Sequence, residues 1–217
     1  MAQRIDTAEC TVMLVNSLLL LLILLPALAL QPWRAVGRAG PPWPWLAWWA
    51  VLPLFWGADR IANVAIIQPL SGAALLVLLA GWPLTVLALL PLAGVMVAVG
   101  GLAWPEALHR LVWLGLVPAT LAMLLGAAVR RWLPAHLFIY IMGRGFFVTW
   151  AAAAGAGALA LLLVDAPGGT DPGDLLLARF LTASGEAVLT GMLTAIFVAF
   201  RPEWLATYSD RLYLPRD

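Results

Sequence analysis

Four polar side chains mark where this chain could do chemistry. Arg144 sits between two glycines in HLFIYIMGRGFFVTW, residues 136–150, and Glu186 sits in TASGEAVLTGMLTAIF, residues 182–197. Asn63 and Gln68 lie in GADRIANVAIIQPLSG, residues 57–72. All four fall in or beside apolar runs, where an uncompensated charge is costly. Guanidinium, carboxylate and amide groups suit charge recognition and hydrogen bonding, and no nucleophile–base motif accompanies them. Two readings follow. In one, Arg144 and Glu186 compensate each other, directly or through water, although their depths match imperfectly; helix-end carbonyls are the other partners open to Arg144. In the other, Asn63, Gln68, Arg144 and Glu186 line a polar cavity that takes a small solute or ion.

The elements that position these residues must be membrane helices. Hydrophobic residues make up 64% of the chain, charged residues 11%, and mean hydropathy is +0.97; a soluble domain carries about 25% charged residues. Every basic side chain apart from the two histidines is arginine, and the net charge is +1. Neither an acidic partner nor nucleic acid is implied. Cys10 is the only cysteine, which excludes an internal disulfide and a cysteine-based metal cluster. His109 and His136 flank one span, about 40 Å apart along a straight helix. They cannot share a haem or a metal within one subunit, so no cofactor is expected.

A helix needs about 20 apolar residues to cross the hydrocarbon. The sequence predicts an all-α bundle of about seven spans, near 11–30, 42–57, 62–80, 83–103, 109–128, 136–164 and 182–200. The first is either a retained span or a secretory signal with a cleavage-like ALA at 27–29. The second, PPWPWLAWWAVLPLFW, is short and proline-broken, and either crosses or lies at the interface. Its tryptophans, with Trp33, read mostly as interfacial anchors. Pro69 removes a backbone donor within the third segment and predicts a kink or a break. A broken membrane helix is tolerated where it lines a protein-buried cavity. Gly155 and Gly157, among the alanines of WAAAAGAGALAL, predict close helix packing.

Arginine placement sets the orientation. With seven spans, Arg34, Arg38, Arg130, Arg131, Arg201, Arg211 and Arg216 share one side. Arg4, Arg60, Arg110, Arg179 and the acidic DAPGGTDPGD, 165–174, share the other. The richer side is expected to be cytoplasmic, with the N-terminus outside. Residues 1–217 read as one integral membrane domain, a helical bundle over 10–201 and a cytoplasmic tail over 202–217. If helical, the tail aligns Trp204, Leu205, Tyr208, Leu212 and Tyr213 on one face, suited to the bilayer surface or to a docking subunit.

NVAIIQPLSG, residues 63–72, resembles the N-x5-P-x2-G stretch of CbiM-like proteins, the membrane substrate-binding components of energy-coupling-factor cobalt and nickel transporters. LPAHLFIYIMGRGFF is similar to the start of a later helix in that family, and GEAVLTGMLTAIFVAFRPEWL, 185–205, to its closing segment. The resemblance covers roughly residues 60 to 205. It implies a compact helical bundle with the N-terminus outside, a permease function, and partners in a coupling membrane subunit and separate ATPase subunits; no G-x4-G-K-[ST] occurs in this chain. It also implies a metal held by the N-terminal amine, a histidine at the second position and another inward histidine. This chain begins Met1-Ala2-Gln3, so it resembles a divergent branch without that metal set. The expected function is a non-enzymatic substrate-binding or permease component of the inner (plasma) membrane. The other reading is an assembly or structural subunit of a larger membrane complex.

Overall fold

The computed structural model describes residues 2–34, 43–58, 69–164, 171–209 and 213. Each regular element among them is helical. In chain order these are α1 (Ala2–Ala29), α2 (Trp43–Trp56), α3 (Ala73–Ala80), α4 (Trp82–Ala98), α5 (Trp104–Trp132), α6 (Ile139–Leu163) and α7 (Pro172–Phe200). Single 3-10 turns, Pro32–Arg34 and Pro202–Trp204, follow α1 and α7. Proline opens α4, α5 and α7 within their first two positions, where its missing N–H has no helical partner to lose.

Four segments are long and apolar enough to cross a membrane: Glu9–Ala29, Trp104–Trp132, Ile139–Leu163 and Pro172–Phe200. They correspond to the expected spans 11–30, 109–128, 136–164 and 182–200. The last begins ten residues earlier than the sequence suggested, because Pro172 and Asp174 make a good helix start. At the expected spans 42–57 and 83–103 lie the helices Trp43–Trp56, of 14 residues, and Trp82–Ala98, of 17 residues. The expected 62–80 span is broken. Its described part runs without helix through 69–72, turns at Gly72 with φ +67°, and then makes only the 8-residue α3. Pro69 prevents helix continuation, and left-handed Gly72 resets the chain direction.

Helix α3 is apolar on every side, and Ala73 through Leu79 are all buried. Helices α2, α4, α5, α6 and α7 surround it, with the tightest pairing between antiparallel α6 and α7. There the glycines act as sockets. A Cβ on Gly145 would lie 3.1 Å from Thr194, one on Gly157 would lie 3.2 Å from the Arg179 stem, and one on Gly191 would lie 3.3 Å from Phe146. Helices α5 and α6 each contain a wider-wound stretch, Leu111–Leu116 and Ile139–Phe147. Their i→i+5 hydrogen bonds include Val117 N–H to Val112 and Val148 N–H to Gly143.

The tryptophans of α2 differ from the expected interfacial belt. Trp45 and Trp56 are buried, and Trp48 and Trp49 are half-buried. Three of the indole N–H groups find acceptors inside the protein: Trp49 donates to the Ala88 carbonyl, Trp48 to Gly72 at 2.8 Å and Trp56 to Ser71 at 2.9 Å, while the buried Trp45 indole has no partner among the described residues. Trp33, outside α2, keeps an exposed ring. The reason is steric and polar together. A short helix beside a broken one must supply both bulk and donors to the broken backbone.

Candidate functional site

The break at 69–72 is the polar centre of the bundle. The N-terminus of an isolated helix presents unpaired N–H groups and a partial positive charge. Here Glu186, on α7 and 2% exposed, meets that end directly. Its Oε2 accepts the Ser71 N–H and its Oε1 the Gly72 N–H, each at 3.0 Å. Ser71 Oγ accepts the next donor, the Ala73 N–H, at 3.1 Å. The carbonyls of Ser71 and Gly72 take the Trp56 and Trp48 indoles. The turn's backbone is therefore satisfied by groups from α2 and α7, as a backbone away from water requires.

The opposite end of α3 is closed by the segment after α7. The Leu78 carbonyl accepts from Thr207 N–H at 3.3 Å and from Thr207 Oγ1 at 3.2 Å. The Leu79 carbonyl accepts the Ala206 N–H at 3.3 Å, and Gly81 N–H closes onto Val77 at 2.9 Å. Arg144, 9% exposed, donates from Nη1 to the Thr207 carbonyl at 3.3 Å. Its Cζ stands 5.5 Å from the centre of the Tyr140 ring, whose hydroxyl lies 2.9 Å from Thr207 Oγ1. Tyr208 and Tyr213 pack on the same ring at 4.9 and 5.0 Å.

The expected direct pair between Arg144 and Glu186 is not formed. Gly145 packs on Thr194 and Gly157 on Arg179, and Trp150 Nε1 donates to Ser184. That antiparallel register sets Glu186 level with residue 150, about 9 Å along α6 from Arg144. Each charge instead faces an end of α3: the carboxylate the positive end, the guanidinium the negative end through Thr207. Helix-end N–H groups thus compensate Glu186, and the Thr207 carbonyl, beside the other end of α3, accepts from Arg144. Asn63 and Gln68, with Asp59 and Arg60, lie outside the described residues, so their part in a shared cavity is not placed.

The tail reading also changes. Residues 202–209 do not form an amphipathic helix; they fold back on the bundle, with Leu205 and Tyr213 buried. Arg179, counted from sequence among the arginines on the outer side ahead of the last span, lies within α7 at 7% exposure and donates to the Gly157 carbonyl. His136 caps the start of its helix: Nδ1 accepts the Phe138 N–H at 3.1 Å.

Other functional-looking groups were not singled out from sequence. Asn16, fully buried in α1, accepts the Trp113 indole at 2.9 Å, and its Nδ2 has no partner among the described residues. Thr190 lies one turn beyond Glu186, buried, with its Oγ1 also unpartnered among the described residues. Gly126 makes room for Arg144: a Cβ there would meet Nε at 3.2 Å. An asparagine inside a leucine run was the one available signal, since a buried amide in hydrocarbon needs a partner. The roles of Gly126 and Thr207 arise from long-range packing and carry no local signature.

Chemically, the site can hold hydrogen-bonding or charged groups at a helix break and can change how that break is satisfied. Among the described residues, no group of three His, Cys, Asp or Glu side chains could hold a metal ion. Comparison with protein-family models, with curated proteins and with solved structures gives no match.

Proposed function

We propose that the chain is the substrate-binding or permease component of a transporter of the energy-coupling-factor type. The observation that carries this reading is the half-helix α3, whose N-terminal break at 69–72 meets the buried Glu186 carboxylate. Discontinuous membrane helices with such ends are where transporters bind solutes. The buried Thr190 hydroxyl, one turn from Glu186 and without a partner among the described residues, supplies a further hydrogen-bonding group near that level. The resemblance of residues 63–72, 133–147 and 185–205 to CbiM-like proteins supports the same reading. Solute enters near the break, and movement of the 69–72 turn exposes it to the cytoplasm. Energy comes from ATPase subunits through a coupling membrane subunit. The substrate is a transition-metal ion or another small solute.

In this reading the protein is multi-pass in the inner membrane, with about seven crossings, the N-terminus outside and the C-terminus cytoplasmic. Cysteine labelling in intact cells on a Cys10-free background tests the orientation. Residues 165–174 label from outside and residues 202–209 do not.

The transport reading is tested on protein purified in mild detergent. Thermal shift is measured against cobalt, nickel and a panel of small solutes, followed by uptake into proteoliposomes containing the co-purified ATPase subunits. A saturable shift with one ligand, and ATP-dependent uptake of it, supports the proposal. Co-purification with one large complex, with neither shift nor uptake, favours an assembly subunit. The engagement of both Arg144 and Glu186 with the ends of α3 is the observation that keeps that second reading in view.

A further inference from the structure

A lateral groove of about 450 Å³ opens between α2 and α7. Its floor is the otherwise buried α3, through Leu75 and Leu79; Val51 stands on one wall, Leu193 and Phe197 on the other, and Trp204 closes one end. The volume lies in the range of small-ligand sites. The neighbouring outward faces are apolar and exposed, including Leu54 on α2 and Ile196 and Phe200 on α7. An occupant therefore enters sideways, from the lipid.

The closed end carries charge. Trp204 meets Phe197 with ring centroids 5.6 Å apart, and Arg201 lays its Cζ 6.0 Å from the Trp204 ring. The Arg201 side chain is 62% exposed, and its contact with Glu203 is a 3.5 Å exposed pair, of a kind that contributes little. A tryptophan and an arginine at the end of a span are the usual equipment of the headgroup level. Apolar slot, interfacial indole and exposed guanidinium form one amphipathic surface.

We infer that this groove binds one anionic phospholipid, with an acyl chain along Leu75, Leu79 and Leu193 and the phosphate on Arg201. The site is separate from the break at 69–72 and does not depend on the transport reading. An arginine near the headgroups favours an anionic lipid by about fivefold.

Native mass spectrometry of the full chain, delipidated and then exposed to equal phosphatidylglycerol and phosphatidylcholine, tests the inference. The wild type retains one lipid and prefers phosphatidylglycerol about fivefold. Arg201→Gln keeps a bound lipid but loses the preference. Ala47→Trp, which fills the groove from α2, loses the lipid. Quenching of tryptophan emission by phosphatidylglycerol brominated on its acyl chain gives a second readout; Trp204→Phe removes part of it. Absence of a retained lipid in the wild type, or an unchanged preference in Arg201→Gln, overturns the proposal, even if Ala47→Trp fails to fold. A dimer that excludes lipid and is lost in Ala47→Trp also overturns it and makes a second copy the occupant.

Discussion

Glu186 and Arg144 stand at opposite ends of one helix of 8 residues: the carboxylate accepts the Ser71 and Gly72 N–H groups, and the guanidinium donates to Thr207, which itself binds the Leu78 carbonyl. At 1.5 Å per residue, α3 is about 12 Å long. Two charges that look in the sequence like partners for each other are both partners of a third element. The helix needs them because it begins and ends inside the bundle, where water does not satisfy its terminal groups.

Removing the carboxylate leaves two buried N–H groups without acceptors. Each such loss costs about 1–3 kcal/mol. Glu186→Leu is expected to lower thermal stability in detergent strongly. Glu186→Gln retains one acceptor oxygen and is expected to fall between Glu186→Leu and the wild type. Equal stability of the two variants would show that the backbone contacts contribute nothing.

Gly72 is constrained twice. Its φ of +67° disfavours any side chain, and a Cβ would lie 2.5 Å from Leu52 Cδ2. Gly72→Ala is expected to cost about 1–3 kcal/mol from the backbone conformation alone. Gly185, where a Cβ meets nothing within 4 Å, is the control; Gly185→Ala is expected to leave stability unchanged or slightly raised. Paired melting curves check the contrast.

The tail is part of the fold. Thr207→Val removes the hydroxyl contacts with Leu78 and Tyr140 and is expected to cost about 1–2 kcal/mol. Deleting residues 206–217 uncovers the Leu78 and Leu79 carbonyls and Arg144 together, so it is expected to destabilise the whole bundle. A truncated protein that melts like the full chain while losing a partner subunit would restore the docking reading of the tail.

Gly126→Leu is expected to push the Arg144 guanidinium off Thr207, because even a Cβ there approaches Nε to 3.2 Å. Its melting temperature should fall as far as that of Arg144→Leu, and combining the two should add little, since both act on one contact. Fully additive losses would place the importance of Gly126 elsewhere.

The sequence was legible where the physics is local. Length and apolarity marked the four long helices, Pro69 marked the break, and the glycines of WAAAAGAGALAL marked a tight face that receives Arg179. It was illegible where a residue's partner is distant backbone. Nothing in TASGEAVL says that its glutamate caps a turn more than a hundred residues earlier, since backbone N–H groups have no identity in a sequence. The tryptophans of α2 misled for the same reason. An indole at a membrane surface and an indole donating to a broken helix are the same letter, and only the acceptor's position separates them. Arg144 and Glu186 looked like an ion pair because opposite charges in neighbouring spans attract attention first.

The most direct test of the bracketed half-helix is a double-mutant cycle on Arg144→Leu and Glu186→Leu, read as thermal stability in detergent. Removing either residue uncovers a different end of α3, so the two losses are predicted to add within about 0.5 kcal/mol, and the double variant to be the least stable of the four proteins. A double variant more stable than either single variant would mean that the charges compensate each other, directly or through water, and would contradict the account.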